Sequence, residues 1–312
     1  MKDITLRQVE YFLAVLEKGS VSAAADACRV SQATVSAALG QLEKQLGVTL
    51  LARGPARRAQ PTTTGREFGF HAKAILASVA EAVESIDNEA TVLQGALRVG
   101  CIPTAAPRIL PGVAARFSAD YPGVDVSVIE AHPMTIQHMV LRGEVDVAVL
   151  YTKQMQLEGL RQHRLGDLQL HALLAHDHPL AARAGVEIAE LVDDPLILLD
   201  SPPTADLLLS QIRSLGHEPH VRLLSPSAET IRSMVAMGLG YSLANAVPHP
   251  DIRSFQGMRV AYRPVVDRVF ANTLVGITMA DARMSKKLST VLDVLRSVAD
   301  ETDPANWDTS PR

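Results

Sequence analysis

The sequence contains very little cysteine. Its 312 residues include only Cys28 and Cys101, which lie far apart in the chain. Two distant thiols exclude the disulfide framework of small secreted domains, and no CxxC pair offers the spacing of a zinc site. The expected environment is therefore a reducing compartment.

Long apolar runs are also missing. No stretch of about 18 apolar residues is present, so the sequence predicts no transmembrane helix and no membrane contact. An amphipathic pattern begins directly at the N-terminus, in place of the charged and then apolar segments of a signal peptide. These features predict a cytoplasmic protein.

Motifs of the common enzyme classes are absent as well. The sequence holds no GxSxG, no P-loop and no GxGxxG. His176 and His178 share one face of an extended segment, but no third metal ligand is spaced near them. Cys101 follows a predicted strand beside a helix start, where a thiol pKa can fall, yet packing is the preferred interpretation. We expect no catalytic residues, no metal and no cofactor, and hence no enzyme.

Charge is distributed unevenly along the chain. Hydrophobic residues make up 47 % of it, which is enough to bury the cores of two or more domains. Residues 1–58 carry a net charge of +3, whereas the remainder carries −7. A basic head on an acidic body is typical of a protein whose head contacts nucleic acid.

Capping residues divide the head into three short helices. Thr5 and Gln8 form a capping-box pair, and Gly19 ends the first helix. An Ala-rich second helix is predicted over 21–28, and Ser31 caps the third. The third helix has one apolar stripe, at Val35, Leu39, Leu42 and Leu46. This stripe is predicted to be buried.

The opposite face of the third helix carries an amide and hydroxyls. Two short helices joined by a tight turn, with such groups at the start of the second, are typical of a helix-turn-helix that reads base edges in the major groove. A basic segment around a Gly-Pro turn follows and would contact the DNA backbone as a wing. The predicted DNA contacts are Gln32, Thr34, Ser36, Arg53, Arg57, Arg58 and Thr62. The alternative is an ordinary solvated face on a small helical bundle.

With these features the chain resembles the LysR-type transcriptional regulators. The stretch LRQVEYFLAVLEKGSVSAAADACRVSQATVSAALGQLEKQLGVTLLAR is similar to the DNA-binding head of that family, and PTTTGREF stands where the wing leads into a linker. Many members carry Arg where this chain has Ala37, so no contact is carried over at that position. The resemblance implies a winged helix-turn-helix over 1–61 that binds double-stranded DNA.

A long helix is predicted after the head. From Thr64 to about Thr91 the sequence has no proline, and at 1.5 Å per residue such a helix spans roughly 40 Å, more than one small domain covers. Apolar residues recur in it at helical spacing, at Ile75, Val79, Val83, Ile86, Ala90 and Leu93. The resemblance implies that linker helices over 62–93 pair antiparallel in a homodimer or homotetramer, and hence a palindromic operator. The alternative is a helix that packs wholly on its own chain.

Beyond the linker, apolar runs alternate with helical segments, which predicts parallel sheets covered by helices. Two such series, with chain crossings near Leu165 and Arg263, predict two lobes and a cleft between them. The effector domain is expected over 94–301, with lobe one at 94–165 and 264–301, lobe two at 166–263, and a disordered tail at 302–312. The stretches HPLA and MVAMGLGYSLAN resemble the periplasmic-binding-protein-like effector domain of the same family. The predicted fold class is thus α/β, with an N-terminal winged helix-turn-helix, a long linker helix and a two-lobed effector domain.

Hydroxyl-bearing residues follow strands in both predicted lobes. Ligands of open α/β sheets bind at the carboxyl ends of strands, where helix N-termini favour negative charge. Each of these residues could equally be a plain helix cap. The predicted effector contacts are Thr104, Ser201, Thr204, Ser227, His132, Tyr151 and Asn245. Together with Arg108 near the same strand ends, they predict a small anionic effector, with a carboxylate as the preferred class.

The sequence therefore predicts a DNA-binding transcriptional regulator whose action on its operator is controlled by this effector. The alternative is a small-molecule binding or sequestering protein whose helical head mediates assembly without reading DNA. The basic wing and the hydroxyl-rich third helix favour the regulator.

Overall fold

The computed structural model describes residues 3–53, 59–86, 93–245 and 252–303. The chain divides into two compact units, the first made up mainly of residues 1–91 and the second mainly of residues 92–312. Within the described ranges no helix is both long enough and apolar enough to cross a membrane.

Three short helices form the start of the first unit where their caps predict them. They are α1 (Leu6–Lys18), α2 (Val21–Ala27) and α3 (Gln32–Leu46). Thr5 and Gln8 exchange the two hydrogen bonds of a capping box, and Gly19 ends α1 in the left-handed conformation at φ 72°. The Ser31 hydroxyl accepts the Thr34 N–H and starts α3. The predicted capping residues are therefore confirmed.

The core of this unit is built from one face of each helix. Phe12 of α1 has no exposed surface, and Val35, Leu39 and Leu42 of α3 are buried against it and its neighbours. Leu46, the last member of the predicted stripe, is only partly buried at the edge of the same core. The 3.6-residue period of α3 thus separates a buried face from an exposed one.

A two-stranded antiparallel wing follows α3. Its strands are β1 (Leu51–Arg53) and β2 (Ala59–Pro61). The Glu43 carboxylate of α3 accepts the N–H groups of Leu50 at 2.6 Å and of Leu51 at 3.0 Å, which fixes the first strand against the helix. The three helices and the wing together form a winged helix-turn-helix.

The long helix α4 (Thr63–Ile86) begins one residue before its predicted start. Phe68 in its first turns packs against Phe12, with ring centroids 5.3 Å apart and the rings nearly edge to face. Ile75 belongs to the predicted apolar stripe and is 44 % exposed. The Val83 side chain and residues 87–92 lie outside the described part of the chain.

Lobe one of the second unit is a five-stranded sheet flanked by helices. Its strands are β3 (Gly95–Cys101), β4 (Val124–Glu130), β5 (Val147–Tyr151), β6 (Leu160–Leu168) and β12 (Asn272–Met279), in the sheet order β4-β3-β5-β12-β6. Its helices are α5 (Ala106–Asp120), α6 (Pro133–Leu141) and α9 (Lys286–Glu301). Phe117, Ile136 and Leu150 are completely buried in its core.

This sheet is mixed, whereas the sequence predicted a parallel one. Strand β3 runs parallel to β4 and β5, but β12 runs antiparallel to both β5 and β6. Periodicity reports which residues face the core and carries no information on strand direction. The prediction also missed β6, because its sequence LRQHRLGDL is mostly polar and does not alternate.

Lobe two is built around a short central strand. Its strands are β7 (His171–Ala175), β8 (Leu196–Leu199), β9 (Val221–Ser225), β10 (Ser242–Ala244) and β11 (Val260–Pro264), and its helices are α7 (Thr204–Ser214) and α8 (Ala228–Ala236). Strand β7 lies between β10 and β11 and is antiparallel to both, while β8 and β9 pair in parallel. Leu174, Ile188 and Tyr241 are buried in a core separate from that of lobe one.

The chain crosses between the lobes at two places, both later than the sequence predicted. Strand β6 stays in the lobe-one sheet to its last residue, so the first crossing lies at residues 169–170 instead of near Leu165. The second crossing spans residues 265–271, after β11, instead of lying near Arg263. The first crossing was placed too early because the polar strand β6 was not predicted.

Hydrogen bonds tie the two crossings together. Gln169 Nε2 donates to the Val265 carbonyl at 2.6 Å, and the Val265 N–H donates to the Leu170 carbonyl at 2.8 Å. Because each lobe keeps its own core on either side of these segments, a cleft remains between the lobes.

Two glycines of the first unit give opposite predictions. A Cβ on Gly65 in α4 would lie 2.0 Å from the Leu50 carbonyl oxygen, a backbone atom that cannot move aside cheaply, whereas a Cβ on Gly40 in α3 would meet nothing within 4 Å. Gly65→Ala should therefore destabilise the protein by roughly 1–3 kcal/mol. Gly40→Ala should stabilise it by roughly 0.5–1 kcal/mol, because alanine loses less conformational entropy in a helix. Urea unfolding of the full chain measures both, and effects of the same sign would contradict the close approach of α4 to the wing.

Candidate functional site

The exposed face of α3 carries three polar side chains close to its N-terminus. Gln32, Thr34 and Ser36 are all exposed, and Val35 between them has no exposed surface. The hydroxyls of Ser31 and Thr34 lie 2.8 Å apart and share a hydrogen bond. The face thus offers one amide and two hydroxyls, which are groups that hydrogen-bond to base edges and phosphates.

Thr62 has a structural task at the start of α4. Its hydroxyl donates to the Thr49 carbonyl at 2.8 Å and accepts the Gly65 N–H at 2.9 Å. These bonds hold the wing to the long helix, a use that the sequence did not predict. The Arg53 side chain, Arg57 and Arg58 lie outside the described part of the chain.

A cavity of about 420 Å³ lies between the two lobes of the second unit. This volume is within the range of about 300–1,000 Å³ that small-molecule sites occupy. Five of the predicted effector contacts line it, namely Thr104, Tyr151, Ser201, Thr204 and Asn245.

His132 and Ser227, also predicted as effector contacts, do not line this cavity. His132 is exposed just before α6. Ser227 is the N-cap of α8, and its hydroxyl accepts the Thr230 N–H at 3.2 Å. At Ser227 the capping alternative is therefore the one that the structure shows.

The helix N-termini beside the cleft offer fewer free N–H groups than the sequence predicted. At the start of α5 the Ala106 N–H donates to the Ile102 carbonyl, and Pro107 has no N–H. At the start of α7 the Thr204 N–H donates to the Ser201 carbonyl at 2.8 Å. Because the turns before both helices use these donors, the charge that attracts an anion has to come from side chains.

Lobe one contributes a polar wall to the cleft, made of Thr104, Arg108, Tyr151 and Lys153. Burial raises the pKa of Tyr151 to about 12, a rise that the neighbouring Thr104 hydroxyl and Arg108 only partly oppose. Among the described residues the Tyr151 hydroxyl finds no hydrogen-bond partner of normal geometry. A buried hydroxyl without a well-formed hydrogen bond is a group that a ligand or a water molecule can satisfy.

The two cations of the polar wall differ in their partners. Arg108 Nη2 donates to the Ala299 carbonyl at the end of α9, and although desolvation lowers its pKa, Asp303 opposes that fall. Lys153 Nζ donates to the Val269 carbonyl at 3.0 Å, and no carboxylate of the described residues forms an ion pair with it. Desolvation lowers the pKa of Lys153 without an opposing charge. Lys153 is therefore a cation of the cleft without a counter-charge in the described part of the chain.

Lobe two contributes most of the apolar lining, which we call the leucine wall, beside polar residues that include Ser201, Thr204 and Asn245. The leucine wall consists of Leu170, Leu173, Leu198, Leu199, Leu207, Leu208 and Leu243. A cation also lines the cleft from this lobe, Arg232, and it pairs with Glu229 and donates to the Tyr262 hydroxyl at 3.3 Å. The charge of Arg232 is thus compensated within its own lobe.

A hydrogen bond joins the two lobes across the cleft. Gln154 Nε2 of lobe one donates to the Thr204 hydroxyl of lobe two at 2.7 Å. Gln154 is itself held, because its Oε1 accepts the Tyr151 N–H and its carbonyl accepts from Gln137 Nε2, each at 3.0 Å. Thr204, a predicted effector contact, therefore already links the lobes.

Cys101 and His178, the sequence candidates for thiol reactivity and metal binding, are both held in structural contacts. Burial raises the pKa of the Cys101 thiol far above its usual range, the opposite of the fall expected beside a helix start. His178 Nε2 pairs with Asp194 at 3.0 Å, and its Nδ1 accepts the Leu180 N–H and so caps a short 3-10 turn. Within the described ranges no three His, Cys, Asp or Glu side chains come together as metal ligands would.

Sequence reasoning missed Lys153, Gln154 and Arg232 as cleft residues. A single Lys, Arg or Gln carries no sequence signal of burial, because such residues normally lie at the surface. For Lys153 and Gln154 a positional signal was available. Both directly follow β5, and ligands of α/β sheets bind beyond the carboxyl ends of strands.

Comparisons with known proteins cover both units. The family model for bacterial regulatory helix-turn-helix proteins of the lysR family matches residues 6–66, and the model for the LysR substrate binding domain matches residues 90–300. The chain is 29 % identical over 271 residues to a hydrogen peroxide-inducible genes activator of Pectobacterium carotovorum, which covers 86 % of this chain and 89 % of the relative. It is 29 % identical over 264 residues to the DNA-binding transcriptional dual regulator OxyR of Escherichia coli, covering 84 % and 85 %. Among solved structures, a full-length OxyR variant from Pseudomonas aeruginosa matches with a TM-score of 0.77 at 25 % identity, covering 96 % of this chain and 98 % of the other.

The two thiols should differ sharply in reactivity. Cys28 is partly exposed, whereas Cys101 is completely buried with a raised pKa, so little thiolate is available at Cys101. A disulfide reagent should titrate about one thiol per native chain and both thiols in guanidinium. Cys28→Ser should abolish the native signal, and rapid modification of Cys101 in that variant would contradict the buried site.

Proposed function

Because the chain belongs to the LysR family of bacterial transcriptional regulators, we propose that a carboxylate bound in the inter-lobe cleft controls how its N-terminal unit acts on DNA. The chain is a DNA-binding transcriptional regulator with an effector-binding domain, and it works as an oligomer on operator DNA. Family membership disfavours the alternative of a sequestering protein whose head does not read DNA. The observation that carries the effector proposal is Lys153, a partly desolvated cation in the cleft without an acidic partner among the described residues.

The proposed base-reading residues are Gln32, Thr34 and Ser36. Their support is the exposed face at the N-terminal end of α3, because recognition helices place their first residues against base edges. The basic residues Arg53, Arg57 and Arg58 are proposed to contact phosphates. A homodimer carries two such heads related by a two-fold axis, so the proposed operator is palindromic.

The proposed carboxylate site combines groups from both lobes. Lys153 Nζ would donate to the carboxylate, and the hydroxyls of Thr104 and Tyr151 lie on the same wall. Ser201 and Asn245 face them from lobe two, and Asn245 Oδ1 is a buried acceptor without a partner among the described residues. A ligand held by both walls would favour one angle between the lobes over others, which is how binding shifts a two-state regulator.

The proposed signal that controls the regulator is ligand binding and not thiol oxidation. Reversible oxidation needs an accessible thiolate, commonly next to a resolving thiol. In this chain Cys28 and Cys101 belong to different units, and Cys101 is completely buried. We further propose that the chain performs no catalysis and acts in the cytoplasm, where bacterial operator DNA lies.

The proposed base contacts predict losses that depend on DNA sequence. Gln32→Ala and Ser36→Ala should each weaken binding to an operator selected from random DNA by roughly 1–3 kcal/mol and leave non-specific binding nearly unchanged. Arg53→Ala should weaken both kinds of binding and reduce the salt slope by about 1. Gln41→Ala is the matched control, because Gln41 is also an exposed glutamine of α3 but lies toward the other end. Fluorescence anisotropy over a salt series measures these effects, and equal losses on operator and random DNA would refute base reading.

The effector proposal predicts that removing one charge weakens carboxylate binding. Screening a carboxylate library by thermal shift should identify compounds that raise the Tm of the native chain. In Lys153→Met their affinity, measured by calorimetry, should fall at least about tenfold, because a charge-assisted hydrogen bond is lost. Lys286→Met is the matched control, since Lys286 is exposed at the start of α9 and does not line the cleft. Carboxylates that bind Lys153→Met as tightly as the native chain, or a screen whose only ligands are cations, would overturn the proposal.

A further inference from the structure

We infer that the ligand of the cleft is an apolar monocarboxylate, such as a medium-chain or aromatic acid, and not a small polar acid. This inference rests on the proposed function and adds the chemical class of the ligand. Its basis is the cluster of leucine side chains on lobe two, the single uncompensated cation among the described lining residues, and the size of the cavity.

The two walls of the cleft differ in kind. Every leucine and isoleucine that lines it among the described residues belongs to lobe two or to the crossing that leads into it, and most of them are also packed in that lobe's core. Lobe one supplies the polar wall of Thr104, Arg108, Tyr151 and Lys153. Lobe two also lines the cleft with polar residues such as Ser201, Ser242 and Asn245, so its wall is not purely apolar. A ligand that touches both Lys153 and the leucine wall therefore needs one polar end and one apolar body.

The charges of the cleft match a single carboxylate. Arg232 is paired with Glu229, and Arg108 is bonded to the end of α9 with Asp303 close by. Lys153 remains without an acidic partner among the described residues. A second carboxylate on the ligand would have to compete with Glu229 for Arg232 or lie against the leucine wall, where an unpaired charge is costly to bury. One anionic group is therefore favoured over two.

The cavity is also larger than a small acid requires. A volume of about 420 Å³ lies well above the roughly 30 Å³ share of a single water molecule and within the range of drug-sized sites. A four-carbon acid would leave a large part of the leucine wall in contact with water. A body of eight or so carbon atoms would cover it, and each added methylene removes apolar surface from water.

The orientation of the ligand follows from these points. Its carboxylate would lie at Lys153, and its apolar body would lie against side chains such as Leu207 and Ile231. Such a ligand joins the lobes by two different interactions, an ion pair on one side and apolar burial on the other. Neither interaction alone would hold both lobes.

A series of four probes tests this class with the full chain. Octanoate carries the carboxylate and a long apolar body, butyrate has a shorter body, succinate has two carboxylates, and octanamide has the body without the charge. At about fourfold in affinity for each buried methylene, octanoate should bind on the order of 100-fold more tightly than butyrate. Succinate and octanamide should both bind at least about tenfold more weakly than octanoate, because each lacks one of the two interactions. Calorimetry measures all four.

A matched pair of substitutions locates the apolar contact. Leu207 lines the cleft and is only partly buried, so Leu207→Gln changes the wall without opening the core. Leu224 of lobe two is 58 % exposed and does not line the cleft, so Leu224→Gln is the control. Leu207→Gln should weaken the binding of octanoate about tenfold and leave the affinity for butyrate nearly unchanged. Leu224→Gln should change neither affinity.

The outcomes separate this inference from the proposed function. The inference and the proposed function are both supported if octanoate binds most tightly in the series and if Lys153→Met and Leu207→Gln each weaken its binding. If butyrate or succinate binds as tightly as octanoate and depends on Lys153, the ligand class is wrong and the proposed function stands. If octanamide binds as tightly as octanoate, the claim that the ligand needs an anionic group is wrong. If no carboxylate binds at all, the effector proposal fails together with this inference.

Discussion

The two crossings between the lobes are the constraint on which the second unit depends. They are bonded to each other, from Gln169 to the Val265 carbonyl and from the Val265 N–H to the Leu170 carbonyl. With the chain passing between the lobes at this place, each lobe closes a hydrophobic core of its own, one around Phe117 and the other around Tyr241. The space between the cores stays open as a cavity. One of its walls is formed by side chains of lobe one and the other by side chains of lobe two.

The charge of Lys153 on the polar wall matters because the cleft around it is only partly solvated. An ammonium group in water is well solvated, but desolvation lowers the pKa of Lys153 and no acid of the described residues offsets that cost. An arriving carboxylate would supply the missing charge. The OxyR variant from Pseudomonas aeruginosa shares this fold at a TM-score of 0.77. In this chain Cys28 and the buried Cys101 lie in different units, which is why ligand binding is the proposed input. A shared fold does not fix the input, which depends on the side chains that line the cleft.

The fold was predictable where local interactions decide it. The Thr5 capping box, the left-handed Gly19 and the Ser31 cap act within one or two turns, so the helices of the head could be located from the sequence. The direction of β12 and the existence of β6 could not, because each depends on pairing with strands far away in the chain. Thr104 and Tyr151 line the cleft because they follow strand ends, whereas Ser227 caps α8 away from it, and a capping hydroxyl has the same sequence signature as a ligand contact.

By itself, the sequence determined the winged helix-turn-helix, the alternation of strands and helices, and the presence of two lobes, because caps and periodicity are properties of neighbouring residues. Only the tertiary structure decided which polar groups meet. Lys153 reaches the Val269 carbonyl across 116 positions of sequence, Gln154 reaches Thr204 across 50, and neither contact has a local signature. The absence of an acidic partner for Lys153 among the described residues is likewise a property of the folded chain, since a counter-charge can come from any segment that packs nearby.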